Sequence, residues 1–122
     1  MKMQDGLKAG RSIYKMKILP FLGWLVLVTA LSLMPADAES VSMFPHADKL
    51  AHSLFYLGFT FLLGWGVKMS KWKLILSGTL YGILMEILQE WMGWGRIFDM
   101  FDILANIIGA LIGTIILISV SK

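Results

Sequence analysis

At 122 residues, with 57% hydrophobic and 16% charged side chains, no cysteine and a mean hydropathy of +0.73, the chain carries more apolar surface than a soluble core of this size can hide. That composition excludes a disordered chain, a disulfide-stapled secreted domain and an ordinary soluble enzyme. A net charge of +3 and a pI near 9.3 would admit nucleic acid, but the placement of the charges reads as membrane topology.

A helix needs about 20 apolar residues to cross a ~30 Å hydrocarbon core. Residues 1–17 form a basic N-terminal arm, and residues 18–120 form a single transmembrane domain of four apolar stretches. The first is Ile18–Met34, ended by Pro35. Its basic start and the Ala36-Asp37-Ala38 that follows also resemble a signal peptide with a small-residue cleavage site. The apolar run is longer than a signal peptide's usual core and three further spans follow, so retention is the favoured reading. Leu50–Val67, Trp72–Met92 and Ile103–Val120 are the second, third and fourth spans. Short links make successive helices antiparallel neighbours, and the expectation is an all-α integral membrane bundle of four transmembrane helices. Closed helices suit lipid, which offers the backbone no hydrogen-bond partner.

Nine of the 11 basic residues fall on one side: Lys2, Lys8, Arg11, Lys15 and Lys17 in the arm, Lys68, Lys71 and Lys73 in the tight link, and Lys122 at the end. The positive-inside rule makes that side, and with it both termini, cytoplasmic, in a multi-pass membrane protein. The arm is also placed to attract anionic membrane lipids. Seven of the eight acids, Asp37, Glu39, Asp48, Glu86, Glu90, Asp99 and Asp102, lie at the other end. Trp65 and Trp72 flank the inner link, and Trp91 and Trp94 lie near the outer boundary, as interfacial aromatics should. No nucleic-acid footprint remains once the charges are sorted this way.

The residues that could carry chemistry gather at the outer mouth. Asp48, His52 and Tyr56 recur at i, i+4 and i+8, one helix face, with Lys49 bordering it. Glu86, Gln89 and Glu90 fall at i, i+3 and i+4 near the outer end of the third span. Arg96, Asp99, Asp102 and Asn106 form a third stripe if the fourth helix starts early. A charge at bilayer depth costs about 2.5–3.5 kcal/mol on insertion scales, so polar groups on three helices at similar depth point to one shared pocket. Arg96 paired with Asp99, Asp102 or Glu86 would neutralise it. Lys49, Glu90 and Asp37 read more simply as solvated loop or interface charges, and His52 equally as a satisfied structural histidine. Below the stripe, Gly109 and Gly113 form a GxxxG pair that admits a close helix neighbour.

No phosphate-binding glycine loop, GxSxG elbow or HExxH is present, and the lack of cysteine excludes thiol catalysis and thiolate metal sites. His46, Asp48, His52 and Glu86 could supply metal ligands, but His46 stands next to Pro45 before the span; no metal and no cofactor is expected. An Asp–His pair beside an Arg and further carboxylates suits acid–base work near a phosphate.

These residues resemble a known pattern. DKLAHSLFY from Asp48, EILQE from Glu86 and GRIFDMFDILANIIGALIG from Gly95 follow a first span ending in Leu31-Ser32-Leu33-Met34-Pro35, and in that order the chain resembles a VanZ-like family membrane protein over residues 18–120. The resemblance implies a cell-envelope protein of a family named for an accessory factor in glycopeptide resistance, notably to teicoplanin. It implies no reaction.

The site admits two readings. In the first it binds or processes an envelope lipid or lipid-linked precursor at the outer leaflet: Arg96, Lys49, Gln89, Asn106 and Tyr56 would bind, and His52, Asp48, Glu86, Asp99 and Asp102 would move protons. In the second the protein is a non-catalytic accessory or assembly factor, and the same residues clamp the bundle. A proton or ion pathway is disfavoured because the inner half lacks ionisable residues. The spans suit either one working unit or a homo-oligomer.

Overall fold

The computed structural model describes residues 2–33, 47–93 and 99–121, with side chains from residue 16 in the first segment and from residue 49 in the second. All the described regular structure is helical: α1 spans Lys2–Leu33, α2 Ala47–Gly66, α3 Lys71–Met92 and α4 Met100–Val120. The four elements agree with the four expected apolar stretches. Helix α1 runs without a break from the basic arm into the first stretch, and Pro20 inside it removes one backbone donor. Among the described residues, two helices are long and apolar enough to cross a membrane: Met16–Leu33 in α1, at a mean hydropathy of 1.9, and Met100–Val120, at 2.5. Helices α2 and α3 are diluted by Asp48, Lys49 and His52 and by Lys71, Lys73, Glu86, Gln89 and Glu90.

Local chemistry sets the helix ends. Ser70 caps α3, its hydroxyl accepting from the Lys73 N–H at 3.4 Å, and Gly93 closes α3 at φ 68°, a left-handed conformation that glycine adopts without strain. Asp99 caps α4 by accepting the Phe101 N–H at 2.8 Å. With Asp102 three residues on, two carboxylates occupy the positive end of the helix dipole. The fourth helix therefore starts early, at Met100 rather than Ile103, which brings Asp102 into its first turn.

Helices α2 and α4 pack most closely, α1 joins through α2, and α3 lies against α4. Small residues make the α2–α4 approach possible. A Cβ on Gly109 would run into the Ser53 carbonyl, and one on Gly113 into the Leu57 carbonyl and the Thr60 hydroxyl. Hydrogen bonds stitch the same seam: Ser53 Oγ donates to the Ala105 carbonyl and Thr60 Oγ1 to the Ala110 carbonyl, both at 3.0 Å. The GxxxG pair thus faces another helix at backbone contact, as the sequence indicates.

An aromatic core joins α1, α2 and α3. Phe21 meets Phe59 edge-on with centroids 5.0 Å apart, and Tyr56 and Tyr81 lie 5.9 and 5.5 Å from the same ring. The Trp24 indole N–H donates to the Phe55 carbonyl at 2.7 Å, and Thr29 bonds to the Tyr81 hydroxyl. Outside this core the usual distribution is inverted. His52, Thr60, Glu86, Gln89, Asp102, Asn106 and Thr114 are buried, whereas Leu19, Val26, Leu54, Leu76, Leu80, Leu84, Ile87, Leu104, Ile112 and Ile115 are exposed on the four helices.

Candidate functional site

The site lies where the start of α2, the last turns of α3 and the first turn of α4 meet. Lys49 reaches from α2 to α4 and donates to Asp99 Oδ2 at 2.7 Å and to Asp102 Oδ1 at 2.6 Å. Three residues along α2, and so on the same face, His52 is 8% exposed; its Nδ1 hydrogen-bonds Asn106 Oδ1 at 3.0 Å. An amide oxygen only accepts, so Nδ1 carries the proton. The other ring nitrogen, Nε2, stands 3.7 Å from Asp102 Oδ2.

From α3 comes Glu86, fully buried. Its Oε2 accepts the Asp99 backbone N–H at 3.3 Å, while Oε1 has no hydrogen-bond partner among the described residues. Gly82, one turn earlier, faces Asn106 so closely that a Cβ there would meet the amide nitrogen at 2.6 Å, and this contact lets α3 bring Glu86 against α4. Five of the residues singled out by sequence, His52, Glu86, Asp99, Asp102 and Asn106, therefore share one cluster with Lys49. The reading of Lys49 as a solvated charge is corrected: it is the cation that holds two α4 carboxylates, in reach because it sits one turn before His52. It also holds the Asp99 carboxyl below the usual carboxylate range, with the Phe101 N–H assisting.

Two expected members point elsewhere. Gln89 is buried, but its amide donates to the Ser32 carbonyl at 2.6 Å and so ties α3 to α1. Tyr56 lies one turn below His52 in the aromatic core, 1% exposed, its hydroxyl without a hydrogen-bond partner. Glu90 is exposed, as a solvated charge should be. Arg96, expected to pair with Asp99, Asp102 or Glu86, and the side chain of Asp48 lie outside the described residues. Ser53 and Thr60 are not singled out by sequence; they stand seven residues apart in the apolar part of α2, and that helical repeat is the available signal.

Beside the cluster, between α2 and α4, an open groove of about 380 Å³ is lined by Lys49, Leu50, Ser53, Phe101, Leu104 and Ile108. Its walls are apolar and its one charged group is Lys49. Lys49, which bonds the two α4 carboxylates, thus joins the ionic cluster to an apolar groove. This constellation suits an amphiphile with an ionic head, or proton movement between His52 and a carboxylate.

Comparison with known proteins agrees with the motifs. No curated protein and no solved structure matches the chain. The profile described as VanZ/LLP1 matches residues 4–121, taking in the basic arm, all four helices and every residue of the cluster. The chain belongs to the VanZ/LLP1 family.

Proposed function

We propose that this chain is a multi-pass protein of the bacterial plasma membrane, crossing it four times with both termini in the cytoplasm, and that its cluster binds the headgroup of an envelope lipid or lipid-linked precursor from the outer leaflet. The observation that carries the proposal is the junction of ionic cluster and apolar groove at Lys49. An acyl chain lying along Leu50, Leu104 and Ile108 would leave its headgroup beside Lys49, His52 and Asp102. The exposed leucines and isoleucines of all four helices support immersion in lipid, since such a surface would be an aggregation liability in water. The asymmetry of the basic residues supports the orientation.

In this reading Lys49, with Arg96, meets a phosphate or carboxylate, and His52 with an adjoining carboxylate is placed to relay a proton. Sequestering or altering a cell-wall precursor would be the route to a part in glycopeptide resistance. A second reading is favoured by the ion pairs themselves: Lys49 with Asp99 and Asp102, together with Gln89 on Ser32, would clamp the bundle of an accessory protein.

The test is mass spectrometry of lipids retained by the protein after extraction in mild detergent. A phosphate-bearing lipid enriched over the bulk membrane, and lost in a folded Lys49→Gln variant, is expected for a binding site. Identical lipid profiles for the parent and Lys49→Gln would defeat it.

A further inference from the structure

Three side chains in the cluster have an arrangement that headgroup binding does not explain. Each spends one polar atom on a neighbour outside the three. His52 spends Nδ1 on Asn106, which leaves Nε2 facing Asp102. Asp102 gives Oδ1 to Lys49 and keeps Oδ2 toward His52. Glu86 gives Oε2 to the Asp99 N–H and keeps Oε1, on a side chain with no exposed surface, without a partner among the described residues. One ligand atom from each of the three lies within 4.8 Å of the others. Acceptors converging in a dry place repel one another, and an orphaned buried oxygen is costly. A cation among the three would give that oxygen a partner.

We propose that His52, Glu86 and Asp102 bind a divalent first-row transition-metal ion, of which zinc is the best fit. One imidazole nitrogen and two carboxylate oxygens form a donor set for such ions. Metal–ligand bonds of about 2.0–2.2 Å put the donors of a tetrahedral site roughly 3.4 Å apart, so side-chain rotations alone would close the triad. The outward bonds are those a metal site requires. A ligating histidine donates its second N–H to a fixed acceptor, here Asn106, and ligating carboxylates are themselves hydrogen-bonded, here to Lys49 and to the Asp99 N–H. With three protein ligands, a further position stays open for water or a ligand oxygen. Metal binding at this triad requires no lipid in the groove.

The experiment uses the full chain, purified in detergent, stripped with chelator and dialysed, with no added lipid. Zinc titrated calorimetrically should bind at one equivalent, and cobalt should give the visible absorption bands of a nitrogen- and oxygen-ligated ion. Glu86→Gln should fold, because the buried group becomes neutral, yet weaken zinc binding at least tenfold and lose the zinc-dependent rise in melting temperature. Glu90→Gln, an exposed neighbour on the same helix, should bind as the parent does. Absence of stoichiometric zinc binding by the parent protein would overturn the assignment. So would a folded Glu86→Gln or His52→Gln variant that binds zinc as tightly as the parent.

Discussion

The contact of Gly109 with α2 sets a sharp requirement on the bundle. In Gly109→Ala the new methyl group would overlap the Ser53 carbonyl, a backbone atom that cannot rotate away, so α2 and α4 must separate. Overpacking of this kind costs about 1–3 kcal/mol. Separation also stretches the Ser53–Ala105 and Thr60–Ala110 hydrogen bonds, each worth about 0.6 kcal/mol between membrane helices, for a total loss of roughly 2–4 kcal/mol. Gly23→Ala is the internal reference: nothing lies within 4 Å of its Cβ position, so it should be neutral or, by helix propensity, stabilising by up to about 1 kcal/mol. Reversible denaturation in mixed micelles, followed by circular dichroism, measures both variants. Equal stabilities for Gly109→Ala and Gly23→Ala would refute the backbone-contact argument.

Thr60→Val keeps the shape of the α2–α4 seam but removes the bond to the Ala110 carbonyl, and should cost about 0.6–1.7 kcal/mol in the same assay. Asp99, whose carboxyl is held low by Lys49, adds stability that is present above the unfolded carboxylate pKa of about 3.9 and is lost as pH falls through its lower folded value. Asp99→Asn should therefore flatten the acid limb of a plot of melting temperature against pH, and an unchanged limb would contradict the pairing. For the proposed topology, cysteines placed at Glu39 and Lys71 should react with an impermeant reagent from opposite sides of the membrane, and labelling of Lys71→Cys in intact cells would reverse the orientation.

Much of the architecture is legible in the sequence because lipid-length apolar runs and proline or glycine breaks mark helices without any knowledge of contacts. Spacing alone puts His52, Glu86, Asp102 and Asn106 on helix faces, and their cost in an apolar setting points to convergence. Less legible is which polar residue pairs with which. Lys49 and Gln89 lie one turn from site residues, but helical spacing gives direction and not reach. The long Lys49 side chain crosses to α4, whereas Gln89 is rotated toward α1 and finds a carbonyl there. Tyr56 shares the His52 face, yet one turn deeper that face meets the rings of Phe59 and Tyr81 and not the cluster. Hydropathy puts the start of α4 late, at Ile103 where the apolar run begins, while the helix itself begins at its cap, Asp99.

Clamp and binding site differ in how the protein responds when the ion pair is exchanged for apolar groups. Lys49 spans two carboxylates of unequal standing. Asp99 is 37% exposed at its side chain, so that pair is largely screened by water and adds little. Asp102 is 12% exposed and more nearly a buried partner, so Lys49→Met alone should cost about 3–5 kcal/mol by leaving its charge uncompensated. The double variant Lys49→Met/Asp102→Leu removes both charges and fills similar volume, and buried ion pairs replaced in this way are often neutral in stability. A clamp has no further duty, so a double variant as stable as the parent should also work as the parent does. A headgroup site should instead lose its retained lipid in that same stable protein, because the cation that faces the groove is gone. Retention of the lipid by a stable double variant would leave the clamp as the better account of Lys49.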